Sequence, residues 1–340
     1  MFKTTKRYLI TGGCGFIGSS LIRRLLRLPK TEIINFDKLA YTASLKSLME
    51  FNKNPRHHHI KADLADFQAI QHTLDMYRPD AIIHLAADTP TDNVIKQPDP
   101  FIHSNIIGTY NLLTASLELW QKHVPHLQLH HVSTDEVFGR ITGDRLLSET
   151  SNYAPYSPYA ASKAASDHLV RAWHKTYDLP ITISHSGHNY GPFQHHEKQV
   201  PTIVRHCLEH KPILVDGNDQ NIRDWLYIDD HVDALLAILE KGKIGNTYMI
   251  GGDCEQRNVD LIHHICDLMD QYYPARQAYR TLITQAKDCS NHYRHGTDSS
   301  KIQHELGWRP TTFLKEGLIK TIRWHVQDYY TTHHPKKVAQ

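Results

Sequence analysis

The segment Arg7-Tyr8-Leu9-Ile10-Thr11-Gly12-Gly13-Cys14-Gly15-Phe16-Ile17-Gly18 decides the fold of this 340-residue chain. Its first five residues predict a short buried strand, and the apolar pattern from Ser19 to Leu28, which stops before Pro29, predicts a helix. Between them, Gly12 permits a tight turn, Gly15 lets the backbone approach a pyrophosphate, and Gly18 lets the helix pack on the strand. This order of strand, glycine loop and helix predicts a dinucleotide site, where loop N–H groups and the helix N-terminus hold the anion.

The residue that ends the second predicted strand distinguishes NAD from NADP. This strand runs from Glu32 to Phe36 and ends in Asp37, 19 residues after Gly18. An acid at this position binds the ribose hydroxyls of NAD and repels the 2′-phosphate of NADP. NAD is therefore the predicted cofactor, although the neighbouring Lys38 softens the exclusion of NADP. The alternative is a glycine-rich structural turn followed by an ordinary helix.

The alternation of strands and helices continues along the first half of the chain. Strands are predicted over 58–63, 81–87 and 127–134, and helices over 67–76, 101–120 and 157–177. This order predicts an α/β fold, a Rossmann-like doubly wound parallel sheet with a smaller mixed α/β C-terminal substrate-binding domain. We expect residues 1–189 to form the NAD-binding domain with the catalytic residues. Residues 190–340 should mainly bind the substrate, with the chain crossing between the two domains, and 229–241 should form a helix with an acidic N-terminus.

Composition excludes several classes of protein. A formal net charge of +2 does not favour nucleic-acid binding, and no run of 18 apolar residues or signal peptide is present, so we expect a cytoplasmic protein without a membrane span. Five scattered cysteines without a C-x-x-C pair fit a reducing compartment. The 27 histidines include several doublets, but adjacent residues point in different directions and no zinc spacing is present, so no metal is predicted.

Thr134-Asp135-Glu136 and Tyr159-Ala160-Ala161-Ser162-Lys163 carry the predicted chemistry. Tyr159 and Lys163 lie four residues apart on one helix face, where the ammonium favours the phenolate and lowers the pKa of the phenol. The adjacent acids follow a strand, and ligands bind parallel sheets at the carboxyl ends of their strands. Hydride transfer alone does not need two such acids, so we expect a second reaction, with proton gain and loss, in the same pocket. Asp63 also follows a strand, and it either reaches the adenine or caps a helix.

These motifs carry a family resemblance. The glycine loop, His84-Leu85-Ala86-Ala87, Ser133-Thr134-Asp135-Glu136-Val137-Phe138-Gly139 and Tyr159-x-x-x-Lys163 resemble the extended short-chain dehydrogenase/reductases, in the NAD-dependent epimerase/dehydratase family. Within that family the chain is most similar to nucleotide-sugar dehydratases. The segments 156–173, 189–192 and 222–228 carry this similarity, which extends nearly to the C-terminal end of the chain. The resemblance implies a homodimer paired through the helices 101–120 and 157–177. Apolar positions on these helices must also cover the sheet, and the sequence does not separate the two uses.

The resemblance implies a nucleotide-sugar 4,6-dehydratase acting on an NDP-hexose, with dTDP-glucose as the first candidate. Tyr159 takes the C4 hydroxyl proton while hydride passes to NAD, Glu136 removes the C5 proton, and Asp135 protonates the leaving C6 hydroxyl. Thr134 hydrogen-bonds the C4 oxygen, and Asp135 needs a raised pKa to act as an acid. The predicted cofactor contacts are Gly12, Gly15, Phe16, Ile17, Gly18, Asp37, Lys38, Asp63, Leu64, Ala86, Tyr159 and Lys163. The predicted substrate contacts are Asn189, Glu197, Lys198, Arg223 and Asn258.

Four departures from the family pattern fall in the substrate half or at its lip. Pro90 and Asn93 replace a His and an Arg, His188 replaces an Asn, and Asp288 replaces an Arg beside the diphosphate, which Arg294 is expected to offset. Arg223 should clamp the diphosphate, with a structural salt bridge as the alternative role. Two functional alternatives stay open: an epimerase or decarboxylase on the same scaffold, or a non-catalytic NAD-binding protein.

Overall fold

The computed structural model describes residues 5–41, 43–90, 98–140, 145–216, 221–286 and 294–333. Two of the positions that depart from the family pattern, Asn93 and Asp288, lie outside these ranges.

The first half of the chain alternates strands and helices as predicted. The strands are β1 (Lys6–Thr11), β2 (Thr31–Asp37), β3 (His57–Lys61), β4 (Ala81–His84), β5 (Gln128–Thr134) and β6 (Ile181–Ser186). The helices are α1 (Phe16–Leu26), α2 (Phe67–Tyr77), α3 (Gly108–Lys122) and α4 (Pro158–Tyr177). The predicted helix over 101–120 has two parts, because a π-helical segment, Phe101–Ile107, precedes α3.

Seven parallel strands form the main sheet, in the order β10-β6-β5-β4-β1-β2-β3, where β10 is Thr247–Ile250 from the second half of the chain. Alternate residues of β1 contact opposite layers: Ile10 packs in the core with α1, whereas Leu9 packs in the core that contains Leu112 of α3. Both faces of the sheet are therefore covered by helices, which is why the central strands β4 and β6 are buried on both sides. The predicted Rossmann-like doubly wound α/β fold is confirmed.

The second half of the chain supplies the seventh strand and a smaller set of elements. Its helices are α5 (Gln199–Glu209), α6 (Ile228–Lys241), α7 (Asn258–Tyr272), α8 (Ser300–Leu306) and α9 (Leu314–His333). Its strands are β7 (His188–Tyr190), β8 (Ile213–Asp216), β9 (Ile222–Tyr227), β10 (Thr247–Ile250), β11 (Glu255–Arg257), β12 (Ile283–Ala286) and β13 (Arg294–His295). In the smaller sheet β9 pairs with β7, β11 and β13, and β8 pairs separately with β12.

The chain returns to the main sheet after residue 190. Strand β10 pairs in parallel with β6, and α6 places Val232, Leu235 and Ile238 in the same core as Ile10. A second core joins α5, α7 and α9 with β9. Domain boundaries at residue 189 stay a prediction. None of the helices in the described ranges is long and apolar enough to cross a membrane.

Candidate active site

A single cleft of about 410 Å³ at the carboxyl ends of the main-sheet strands contains most of the predicted site residues. It is lined by residues of the glycine loop, by residues after β2, β3, β4 and β5, and by residues from the second half of the chain. Of the predicted residues, these line it: Gly12, Gly15, Phe16, Ile17, Gly18, Asp37, Lys38, Asp63, Leu64, Ala86, Thr134, Asp135, Glu136, Tyr159, Asn189, Lys198 and Arg223.

The glycine loop has the shape that a pyrophosphate requires. Gly12 has φ +72°, and a Cβ there would lie 2.8 Å from Cα of Ala86. A Cβ on Gly18 would lie 2.3 Å from the carbonyl oxygen of Gly12, so the close packing of loop and helix depends on glycine. Gly15 is the N-cap of α1 and has no side chain to occupy the anion position in front of the helix N-terminus. These residues fit a dinucleotide phosphate.

Asp37 is held at the ribose end of the cleft. Its Oδ2 accepts the N–H of Cys14 at 2.8 Å, and its Oδ1 accepts the N–H of Leu39 at 2.7 Å. The ammonium of Lys38 lies 2.8 Å from a carboxylate oxygen of Asp88 and also donates to Ser104. Since Asp88 already neutralises this ammonium, Lys38 offers little attraction to a 2′-phosphate, and the site fits NAD better than NADP.

The alternative role that we considered for Asp63 is not the one observed. Asp66 is the N-cap of α2, and its side chain accepts the N–H of Ala69. Asp63 lies just before it, accepts the N–H of Ala65 at 3.0 Å, and lines the cleft together with Leu64. Its position in the cleft is compatible with the predicted adenosine contact.

The two adjacent acids begin the short 3₁₀ helix Asp135–Phe138 that follows β5. Thr134 caps this helix: its hydroxyl accepts the N–H of Glu136 and donates to Oδ1 of Asp135, both at 3.3 Å. The tight turn brings both carboxyl groups into the cleft. Asp135 is only 2% exposed, so its carboxyl group lies in a largely desolvated position.

Burial raises the pKa of Asp135 to about 8, and the neighbouring charge of Glu136 contributes to the increase. Burial also raises the pKa of Glu136, whereas Lys198 and Arg223 act in the opposite direction. At neutral pH Asp135 is therefore protonated and able to donate a proton, as its predicted role requires. Glu136 has two cations nearby that favour its carboxylate form, which is the form of a base.

Tyr159 and Lys163 lie one turn apart on α4, whose N-cap Ser157 accepts the N–H of Ala160. The predicted lowering of the Tyr159 pKa is wrong for the protein alone, because burial, Glu136 and Asp135 raise this pKa. Lys163 is 4% exposed, its ammonium donates to the carbonyl of Val132 at 3.0 Å, and it lies behind the cleft wall. Burial lowers the pKa of Lys163 to about 8, and the charge of Asp167 opposes that change.

The predicted substrate residues separate into two groups. Asn189, Lys198 and Arg223 line the cleft, and the Lys198 ammonium donates to the carbonyl of Pro90 at 3.4 Å. Glu197 and Asn258 do not line it: Glu197 accepts the hydroxyl hydrogen of Tyr41, and Asn258 is buried at the start of α7. Their predicted contacts with the substrate stay predictions.

Arg223 and Arg294 both have protein partners. The Arg223 guanidinium lines the cleft and donates to the amide oxygen of Gln199 at 2.9 Å, a partner that carries no charge. Arg294, which we expected to offset the charge of Asp288, forms an ion pair with Glu255 at 2.7 Å. Since Asp288 lies outside the described residues, that expectation stays a prediction.

Several residues around the acids were not predicted from the sequence as site residues. His188, Gln199 and Trp225 line the cleft, and Nδ1 of His295 lies 3.7 Å from Oδ2 of Asp135. His188 was noticed as a departure from the family pattern. His295 lies in β13, about 160 residues from Asp135, and no local pattern indicates their proximity.

Together, the glycine loop, Asp37 and the Tyr159/Lys163 pair define a dinucleotide-dependent enzyme of the short-chain dehydrogenase/reductase class. The family model described as GDP-mannose 4,6 dehydratase matches residues 9–321, and the chain belongs to this family. The predicted family resemblance is confirmed.

The chain is also similar to individual proteins with named activities. The chain is 42% identical over 328 residues to a dTDP-glucose 4,6-dehydratase of Haemophilus influenzae, an alignment that covers 94% of this chain and 97% of that protein. A dTDP-glucose 4,6-dehydratase of Streptomyces venezuelae, crystallised with NAD, has a TM-score of 0.87 and 34% identity, covering 97% of this chain and 99% of that one. A UDP-glucuronic acid 4-epimerase of Bacillus cereus, crystallised with UDP-glucuronic acid and NAD, has a TM-score of 0.83 and 27% identity, covering 95% and 100%.

Proposed function

We propose that this protein is an NAD-dependent nucleotide-sugar 4,6-dehydratase, a hydro-lyase, and that its substrate is dTDP-glucose. The observation that carries this proposal is that the buried Asp135 lies next to Glu136 in the same cleft as the dinucleotide loop. The relatives named dTDP-glucose 4,6-dehydratase support the reaction, and those crystallised with NAD support the cofactor.

The first step is oxidation at C4 of the sugar. Tyr159 takes the C4 hydroxyl proton, and Thr134 holds the same oxygen. Protonation of Asp135 removes one of the negative charges that raise the pKa of Tyr159, and the charged Lys163 behind the wall favours the phenolate. Bound NAD would accept the hydride from C4 and supply it again later to C6. The residues that would hold NAD are the glycine loop and Asp37.

The second step is elimination of water. A C4 ketone acidifies the C5 hydrogen, so Glu136 removes the C5 proton as a base. Asp135 gives its proton to the C6 hydroxyl, and the C6–O bond breaks with release of water. Return of the hydride to C6, and of the C5 proton from Glu136, would complete a 4-keto-6-deoxy sugar. Over one turnover the sugar would lose one water, and one proton passed through solvent from Tyr159 to Asp135 would return both side chains to their starting states.

Arg223 and Lys198 are the proposed contacts for the diphosphate of the substrate. Both line the cleft on the side of the second half of the chain, where Arg223 carries its positive charge beside the neutral amide of Gln199. An arginine in this position offers a bidentate hydrogen bond to phosphate oxygens. Glu197 and Asn258 are proposed to contribute only where the nucleotide extends beyond the cleft.

We further propose that the enzyme is a cytoplasmic homodimer. Ile107, Tyr110 and Tyr177 are 40%, 45% and 44% exposed on the segment before α3, on α3 and on α4. Trp173 connects them, since its ring lies 5.8 Å from those of both Tyr110 and Tyr177. An aromatic surface of this kind on two neighbouring helices is suited to pairing with a second copy.

Mass spectrometry of the product tests the proposed reaction. Purified protein with NAD is incubated with dTDP-, UDP-, CDP- and GDP-hexoses, and we expect the dTDP-glucose product to be lighter by one water. A product of unchanged mass that chromatography separates from the substrate would indicate an epimerase instead, and loss of carbon dioxide from an added UDP-hexuronic acid would indicate a decarboxylase. If every sugar nucleotide is recovered unchanged, the proposed function is wrong. A UDP-, CDP- or GDP-sugar that loses water in place of dTDP-glucose would correct the substrate alone.

A further inference from the structure

A buried polar cluster lies behind the catalytic helix and is not used by the mechanism above. At its centre is Asp167, which is fully buried on α4, one turn after Lys163. Its Oδ1 lies 3.1 Å from Nε2 of His131 on β5, and its Oδ2 lies 2.7 Å from Nε2 of His185 on β6. The hydroxyl of Tyr153 donates to Oδ2, also at 2.7 Å. A buried carboxyl group with this many partners requires an explanation.

The hydrogen bonds define the charge of the cluster. Nδ1 of His131 and Nδ1 of His185 are both buried without a hydrogen-bond partner among the described residues. An imidazolium would place an N–H donor at each of these positions, whereas a neutral ring with its proton on Nε2 leaves only an acceptor there. Both histidines are therefore neutral donors to Asp167, and the carboxylate carries the negative charge. Three donors, from His131, His185 and Tyr153, satisfy the oxygens of the carboxylate in this charge state.

The other groups around the cluster do not cancel this charge at Lys163. Arg171 lies on the far side, where it donates to the Tyr153 hydroxyl at 2.9 Å and to Thr247 at 3.0 Å. His168 contacts only the ring of Tyr153 and is exposed to solvent. From β4, the ring of His84 lies 5.2 Å from that of His131, and burial holds the pKa of His84 well below its usual range, so it is neutral.

Lys163 needs a negative charge nearby. It is buried, and the protein atom that its ammonium contacts is the neutral carbonyl of Val132. Desolvation alone drives such a lysine toward the neutral amine, which has no charge with which to favour the Tyr159 phenolate. Among the described residues, Asp167 is the charged group whose field opposes that loss.

We propose that Asp167 is a positioning residue for the reaction: fixed by His131, His185 and Tyr153 one helical turn behind Lys163, its carboxylate keeps the Lys163 ammonium charged and sets the upper pH limit at which Tyr159 works. This inference rests on the proposed function for its kinetic consequence. The interaction between Asp167 and Lys163 itself does not depend on the identity of the substrate.

The test compares Asp167→Asn with the unmodified enzyme in two measurements. The first is a pH titration of Lys163 in the NAD-bound protein without sugar, by NMR of isotope-labelled lysine, with Lys163→Met to assign the signal. We expect Asp167→Asn to move this titration to lower pH by about one unit or more, as for loss of an opposite charge at close range. The second is the pH profile of kcat with dTDP-glucose, whose alkaline limb should move down by the same amount.

His130→Gln is the matched control. His130 is the neighbouring buried histidine of β5, hydrogen-bonded to Thr182 and Ser184 rather than to the cluster, so neither measurement should shift. A structural role alone would lower kcat in Asp167→Asn and leave the Lys163 titration in place, and that result overturns the proposal. If Asp167→Asn does not fold, His185→Lys places a cation on the same carboxylate, and an unshifted Lys163 titration in that variant overturns it equally. A shifted titration in a protein without dehydratase activity supports the Asp167 inference while refuting the proposed function.

Discussion

Replacing Asp135 with asparagine should make the protein more stable and catalytically defective at the same time. The asparagine side chain would keep a neutral group of similar shape in the buried position but cannot donate the proton that the leaving hydroxyl requires. We expect the elimination rate to fall by about 10²- to 10⁴-fold, the usual contribution of general acid catalysis. Because Tyr159 is unchanged, oxidation at C4 should continue, so the absorbance of reduced cofactor should accumulate after dTDP-glucose is added.

The stability change follows from the pKa of Asp135. The pKa in the folded protein is about 8, against 3.8 for the ordinary side chain. Since the folded pKa of this acid is raised, the unfolded chain releases its proton first as pH rises. The carboxyl group therefore lowers the free energy of unfolding progressively between about pH 4 and pH 8. At neutral pH the free energy of unfolding is lower by about 4 kcal/mol, from about three pKa units at 1.36 kcal/mol each.

Asp135→Asn removes this pH dependence. Chemical denaturation at several pH values should give a difference in the free energy of unfolding that is small near pH 4 and grows in favour of the variant as pH rises. Asp230→Asn is a matched control, because Asp230 is a buried acid whose oxygens accept hydrogen bonds from Thr311 and Thr312, so its loss should destabilise the protein. If the difference for Asp135→Asn is the same at acid and neutral pH, Asp135 is ionised in the folded protein and its role as the acid is refuted.

Four further substitutions give expectations of their own. Tyr159→Phe should abolish the appearance of reduced cofactor in a single turnover, and undiminished reduction would show that another group accepts the C4 proton. Asp37→Ser should raise the Kd for NAD and lower the ratio of the Kd for NADP to the Kd for NAD, measured by calorimetry, because the charge that repels a 2′-phosphate is gone. An unchanged ratio contradicts the ribose contact. His295→Ala opens space beside Asp135, so water should lower the pKa of that acid, followed by infrared spectroscopy of its carboxyl group; an unchanged titration means that burial is not what raises this pKa. Tyr110→Glu should convert a dimer to monomers in light scattering, and a dimer that survives it pairs through another surface.

Features that depend on neighbours in the chain could be predicted from the sequence. The turn at Gly12, the packing of Gly18 and the position of Asp37 at a strand end all follow from short-range steric and hydrogen-bond rules. A parallel, doubly wound sheet then follows from the alternation of elements. Adjacency of Asp135 and Glu136 and the i, i+4 spacing of Tyr159 and Lys163 are equally local. These patterns indicated two coupled proton-transfer sites beside a dinucleotide before any tertiary contact was considered.

The charge state of those residues is decided only by tertiary structure. Desolvation of a side chain depends on which segments pack over it, and Asp135 is covered by segments as distant in the chain as His295. The pKa of Tyr159 is raised, whereas its spacing from Lys163 had predicted that it would be lowered. Likewise Lys38 is neutralised by Asp88, and His131 and His185 reach Asp167 from separate strands. The sequence by itself thus determined the glycine loop, the adjacent acids and the Tyr159/Lys163 pair, but not the residues that distant segments place beside them. Folding decided which of these groups carry a proton in the cleft, because burial and through-space charge are properties of the packed chain.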